Sequence, residues 1–483
     1  MLINNVDVWH GLGIGYFADS CYSGRIGDFF NLVCIMNFIE GKLLLLFLFI
    51  SVVSTGQENW TLENCISYAL EHNLTLLDYQ YLEDSGKENY NQAIRDMLPR
   101  VNGFGDYNIR YGRSTDPNTN DIIDTEFFSN GYSLNASIDL FRGFQKVHTI
   151  KARKLLFKAS QETSQQQRFL LALRIMTAYH DIQFYEGLLA ISKEQLTISE
   201  DNFKLANKQI EIGLKAKADL YEAESVLYTD QLNVTQNENL LQAAKLTLIQ
   251  EMNLENAHTL QINPIVPNTM ADNKLSTDSI YGLAMDFVPL LKAQRYRTEA
   301  VRKQLSVARG ELYPSLSFAT GYGTGYYETT RDTLGVTIPF KNQIQDNASR
   351  YVGFSLNVPI FNAWSTRSAI KQQKIALKRE ENNLEIQEQE IFKAIQQLVQ
   401  ENKALNVELI QSEKQIMAQE QAFGVAQKKY EKGLFTIMEL NLAKSMYATS
   451  QNKNLQVKLL LQINRNTLAF YQGLPVFNIN STN

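Results

Sequence analysis

The sequence predicts a mainly α fold with membrane β, built as two tandem repeats of one long unit. Three observations predict it. First, the stretch GLKAKADLYEAESVL from Gly213 to Leu227 returns as GLFTIMELNLAKSMY from Gly433 to Tyr447, an offset of 220 residues that holds without a gap from Ile138/Val358 to Leu254/Leu474. A fixed offset of this kind marks one supersecondary unit used twice. Second, apolar residues recur every seventh position through long stretches that contain no proline, which is coiled-coil patterning. Third, each copy is interrupted at the same place by runs that alternate with a period of two, the signature of strands.

Composition agrees. Nine prolines and 25 glycines punctuate 483 residues, and the long runs of Gln, Glu, Lys, Ala and Leu suit extended helices. A net charge of −5, with no basic patch, gives no reason to expect nucleic acid as a partner.

The N-terminal part reads as an export signal. Lys42 precedes the apolar run Leu43–Val53, and Ser54-Thr55-Gly56 supplies small residues before Gln57. This eleven-residue run, apolar except for Ser51, is too short for a spanning helix, which needs about 20, but suits a signal peptide. Residues 1–56 are therefore read as an upstream extension plus signal, with Met36 the expected true start. Cys21 and Cys34 fall in that part and leave Cys65 alone, so no intrachain disulfide is expected.

The first repeat is placed at 57–274 and the second at 275–474, with a tail at 475–483. Residues 61–98 read as one helix, capped by Thr61 and ended by Pro99. A strand hairpin follows at about 101–141. Val101, Gly103, Gly105, Tyr107, Ile109 and Tyr111 share one face of its first strand, and Tyr132, Leu134, Ala136, Ile138 and Leu140 one face of its second. The hairpin of the second repeat, at about 315–361, repeats this with Leu316, Phe318, Thr320, Tyr322, Thr324 and Tyr326, then Val352, Phe354, Leu356, Val358 and Ile360. Such stripes fit either a half-buried soluble hairpin or a lipid-facing surface backed by a wet lumen.

Long helices are expected over 143–212 and 363–432. Ile175, Ile182, Leu189, Leu196, Phe203 and Ile210 form the heptad row of the first, and Ile395, Asn402, Leu409, Ile416, Phe423 and Tyr430 that of the second. Each would run roughly 100 Å at 1.5 Å per residue before a turn at Gly213 or Gly433. The return helices, 216–254 and 436–474, are half as long. To complete the columns, 276–312 is expected to stack on the end of 216–254, and 61–98 on the end of 436–474. The linker around Pro264 and Pro267 would form a collar at the join.

Four membrane strands cannot close a barrel, and open edges are not tolerated in hydrocarbon. Two copies would give eight strands and three would give twelve. An eight-strand barrel is filled by its own side chains and would waste the polar inner faces, so three copies are favoured.

The order helix, strand hairpin, heptad helix, glycine turn and return helix, occurring twice, resembles the TolC-type outer membrane efflux family over essentially all of 59–474. The most specific points are the tips ANKQIEIGLKAKADLYEAES and YEKGLFTIMELNLAKS, and the LPRV and YPSL segments at Pro99 and Pro314. The resemblance implies a homotrimer, with a 12-strand β-barrel in the outer membrane continued by a 12-helix coiled-coil α-barrel across the periplasm. It implies the exit duct of a tripartite efflux pump or type I secretion system. The implied partners are a periplasmic adaptor protein, an inner-membrane pump of RND, ABC or MFS type, and the lipid bilayer. It also places a periplasmic gate at Asp219 and Glu439, an offset pair just after the two turns, with Tyr430 and Phe435 beside it. Gly213, Leu214, Gly433 and Leu434 correspond to the adaptor-docking tips.

Two positions depart from the family. A second acid would fall on Leu442 and a basic partner on Phe435, which puts the hydrogen-bonded lock of the best-known members in question. A plainer reading of Asp219 and Glu439 is that of helix N-terminal acids favoured by the dipole, and the glycines also fit simple turns. His72, His148, His180 and His258 are scattered, with His180-Asp181 read as a helix-surface pair. No nucleophile constellation, phosphate loop, cofactor motif or metal spacing is found, so a non-enzyme is expected. Two other readings compete: a pore-less periplasmic coiled-coil scaffold or surface fibre, and the adaptor itself. The paired strands speak against the first and the presence of two helical hairpins against the second.

Overall fold

A computed structural model describes residues 60–115, 120–124, 126–255, 260–263 and 276–474. The signal peptide, Met36, Cys21, Cys34, His258, the Pro264/Pro267 collar and the tail lie outside the described residues.

Helices α1 (Leu62–His72) and α2 (Leu74–Arg95) lead into strand β1 (Arg100–Arg110). A small hairpin, β2 (Arg113–Thr115) with β3 (Ile122–Asp124), precedes strand β4 (Phe127–Arg142). Then come α3 (Gln145–Glu211) and α4 (Lys217–Met252). The second half runs α5 (Thr277–Phe287), α6 (Pro289–Gly310), β5 (Ser315–Tyr327), α7 (Phe340–Asp346), β6 (Ser349–Asn357), α8 (Ser365–Glu431) and α9 (Ile437–Tyr471). Both long helices have 67 residues, roughly 100 Å of rise. Among the described residues no helix is long and apolar enough to cross a membrane.

The stretch expected as one helix over 61–98 is broken at Asn73. Its backbone is extended there, its Oδ1 accepts from the Leu76 amide at 3.1 Å, and its Nδ2 donates to the Glu251 carbonyl at 3.0 Å. Asn73 thus ends α1 and caps α2. The matching break in 276–312 falls at Val288, which Pro289 at the first helical position holds in extended geometry.

The half-columns stack in the opposite sense to the expectation. The α1–α2 pair sits on the end of α4, with Cys65, Ile66 and Ala69 packed in one core with Leu248 and Met252. The α5–α6 pair sits on the end of α9, where Ile280, Ala284 and Leu291 pack with Leu468 and Tyr471. Trp60 pairs with the chain at Gln261–Asn263, some residues beyond the end of α4, and so draws α1 to that end. Sequence lengths could not separate the two arrangements, because either pairing completes a column of the same length. Helix α3 packs against α2 and α4 on one side and α6 and α9 on the other, and α8 packs on α6 and α9.

The four long strands form one antiparallel sheet in the order β1-β4-β5-β6. Its register places Gly103, Leu134 and Tyr322 side by side, and likewise Ile138, Phe318 and Phe354. The apolar rows expected on separate strands therefore lie on one face. Val101, Leu134, Val352, Phe354 and Leu356 are all exposed there. The opposite face carries Asn102, Asp106, Ser133, Asn135, Ser137, Ser317 and Ser355, with Gly321 leaving room for the Tyr351 ring, whose hydroxyl donates to Asn135 Oδ1 at 3.2 Å. Strand β4 starts at Phe127, five residues before the expected Tyr132, because Phe127–Gly131 continue the ladder with β1. Leu140 is extruded where the register with β5 shifts between Asp139 and Phe141.

His180 is not a surface residue. It faces the α3 interior with 1 % exposure next to buried Tyr179, and burial holds its pKa below the usual histidine value.

Candidate functional site

The two tips are built by the same local chemistry. At the end of α3 the Gly213 amide donates to the Ile210 carbonyl at 2.9 Å and the Leu214 amide to Gln209 at 2.8 Å. At the end of α8 Gly433 donates to Tyr430 and Leu434 to Lys429, both at 2.9 Å. These paired bonds close a helix around a left-handed residue. The φ angles of +78° at Gly213 and +73° at Gly433 explain why glycine is needed there. Leu214 and Leu434, which follow, are 71 % and 70 % exposed. With Ile212, which is 70 % exposed, they give the turns an exposed apolar surface.

Asp219 and Glu439 stand at the third position of α4 and α9 and turn back on their own helix starts. Glu439 Oε2 accepts from the Thr436 amide at 2.8 Å, while the Thr436 hydroxyl accepts from the Glu439 amide at 3.2 Å. This reciprocal capping box holds the Glu439 carboxyl below its usual pKa, the Thr436 amide and hydroxyl being the main causes. Asp219 Oδ2 accepts from the Ala216 amide at 3.2 Å, but Ala216 has no side-chain acceptor to return the bond, so the first tip has half a box. Both acids are thus helix-start residues, as the plainer reading has it.

Tyr430 and Phe435 are brought together. They share a core between the two hairpins with Ala206, Ala223, Phe423, Ile437 and Leu440. Tyr430 is fully buried, its hydroxyl has no hydrogen-bond partner among the described residues, and burial pushes its pKa up to about 12. Lys215, the repeat counterpart of Phe435, lays its Nζ 3.9 Å from the Tyr430 ring centre. Lys429 Nζ lies 4.7 Å from the Phe435 ring. Each of the two rings thus carries a lysine on its face, a favourable cation–aromatic contact. Leu442 is 63 % exposed.

The sequence model of the outer membrane efflux proteins matches residues 65–253 and 281–474, one match in each half. The chain belongs to that family. A relative in it, the outer membrane protein TolC of Vibrio cholerae, is 21 % identical over 420 residues, which cover 85 % of this chain and 91 % of the relative. The toluene efflux pump outer membrane protein TtgC of Pseudomonas putida is 19 % identical over 399 residues, 79 % of this chain and 78 % of the relative. Among solved structures, CusC, described in connection with transmembrane channel formation, superposes with a TM-score of 0.74 at 18 % identity over 86 % of this chain and 92 % of its own. The fold is therefore that of the outer membrane efflux proteins, and the family is one of transport.

Sequence reasoning missed one cluster in this efflux-family chain. A few turns above the tips, Lys444 of α9 reaches Asp230 of α4 and Ser199 of α3. A lysine and an aspartate on different helices carry no signal in sequence until the helices are placed side by side.

Proposed function

We propose that three copies of this chain assemble into a continuous duct, a twelve-stranded barrel in the outer membrane joined to twelve helical columns in the periplasm. The observation that carries this is the sheet. Its edge strands β1 and β6 each pair on one side only among the described residues, while Val101, Leu134, Val352, Phe354 and Leu356 are exposed on one face and the other is mostly polar, with Phe104 and Tyr351 as its exposed aromatics. Edges and faces of that kind suit closure against further copies in lipid. The duct is passive and serves as the exit of a tripartite pump, whose adaptor meets the exposed Leu214 and Leu434 and whose inner-membrane transporter selects the cargo. Recovery of a homotrimer by mass measurement in mild detergent supports the assembly; a stable monomer would sink it.

The narrow end is the gate in this reading. Three copies of Asp219 and three of Glu439 form an anionic ring, sealed by the apolar cluster around Tyr430 and Phe435. A carboxylate ring favours cations over anions. Replacing both acids by alanine is expected to weaken cation selectivity in planar bilayers and to remove block by multivalent cations. Unchanged selectivity would leave the acids with their capping role alone.

A further inference from the structure

The Lys444 side chain is the feature of the helical region that neither the coiled coils nor the tips require. It is 3 % exposed, and its partners Ser199 and Asp230 are 2 % and 9 % exposed. Lys444 Nζ donates to Ser199 Oγ at 2.5 Å and to Asp230 Oδ2, and the Ser199 hydroxyl donates to the same Asp230 oxygen. The three residues come from α9, α4 and α3, so one buried hydrogen-bonded ion pair joins the second hairpin to both helices of the first. Asp230 and Lys444 also line a groove of about 600 Å³ between α3, α4 and α9, whose lining mixes polar residues such as Asn233, Asn237 and Asn441 with the apolar Leu188, Ile191 and Met438 and the acidic Glu222. Burial draws the Lys444 pKa down and the Asp230 carboxylate opposes it.

The repeat makes the cluster specific. At the offset of 220, Lys444 corresponds to Glu224, Asp230 to Ser450 and Ser199 to Gln419. The place where the second hairpin would meet the first hairpin of a neighbouring copy therefore has no equivalent pair. On the duct reading the tie would therefore lie within a chain and not at a boundary between chains.

We propose that Lys444, Asp230 and Ser199 are an intrachain clamp that sets the resting position of the second hairpin against the first and keeps the tips closed. The gating part rests on the duct reading above; the clamp itself does not. Breaking a buried pair by removing one charge leaves the other uncompensated, so each single variant should loosen α9 against α3 and α4. The test compares wild-type protein with Asp230→Asn, Lys444→Met and the exchange Asp230→Lys with Lys444→Asp, in mild detergent and in planar bilayers. Amide exchange over 437–450 is expected to quicken by about tenfold or more in the single variants and to recover in the exchanged pair. Resting conductance should rise in the single variants and fall again on exchange. Exchange rates in both single variants within about twofold of wild type would overturn the clamp. Should both fail to assemble, recovery of assembly in the exchanged pair supports it, and no recovery overturns it. Wild-type protein that never conducts would refute the duct, while the amide exchange would still decide the clamp.

Discussion

Tyr430 allows the sealing cluster to be tested by atoms. Its ring is fully buried between the hairpins and carries Lys215 at 3.9 Å, while its hydroxyl makes no hydrogen bond among the described residues. Truncating a buried aromatic side chain to alanine costs about 3–5 kcal/mol, and loss of the cation contact adds roughly 0.5–2 kcal/mol. Tyr430→Ala should therefore loosen the tip strongly. Tyr430→Phe removes only a buried hydroxyl without a partner, so it should be neutral or stabilising by up to about 1 kcal/mol. Resting conductance in planar bilayers and amide exchange around 423–440 read both variants. The ordering expected is a large rise for alanine and none for phenylalanine. Equal leakage from Tyr430→Phe would refute the reasoning, since it would show that the hydroxyl is bonded to a neighbouring copy.

Phe435→Ala should raise resting conductance more than Glu439→Ala, because Phe435 belongs to the shared core and Glu439 caps an exposed helix start; the reverse order would move the seal to the carboxylates. Gly433→Ala should destabilise the second tip by about 1–2 kcal/mol, a purely backbone effect since a Cβ there would meet open space, measurable as faster amide exchange of Gly433 and Leu434. Arginine at Leu134 or Phe354 should block outer-membrane assembly at a cost of about 2–4 kcal/mol for a midplane position, whereas Ser133 and Asn135 should accept it; recovery of trimers from outer-membrane fractions decides. The Glu439 carboxyl is held below its ordinary pKa of 4.5, so its capping contribution is whole above that value and is lost as pH falls through the lower folded-state value. Glu439→Gln should flatten this acid limb in melts followed by circular dichroism.

The long elements were legible because their periods are long. A heptad row such as Ile175, Ile182 and Leu189 survives local noise, and α3 and α8 lie within a few residues of the expected 143–212 and 363–432. The strand faces were legible for the same reason, since a period of two permits only two assignments and neighbouring strands agreed. The break at Val288 had a signal in Pro289 that the reading of 276–312 as one segment passed over, while the one at Asn73 depends on a side chain choosing to cap α2, which an Asn inside a helical pattern does not announce. The stacking partners depended on Trp60 meeting Gln261, a contact between segments 201 residues apart in the sequence. At the tips the sequence identified the acids and the turns, while the cations over Tyr430 and Phe435 depend on where two different hairpins meet.

The two unpaired sheet edges also bear on how such a protein is made. On the trimeric reading, a copy that has not yet met its neighbours carries β1 and β6 as open templates among the described residues, with a largely apolar face on the sheet between them. Strands in that condition pair with whatever extended chain they meet. Passage across the periplasm is then a race between correct closure and aggregation, won by escort or by rapid meeting of siblings. Overproduction beyond the escort's capacity should yield misassembled chains in the periplasm rather than more ducts in the membrane.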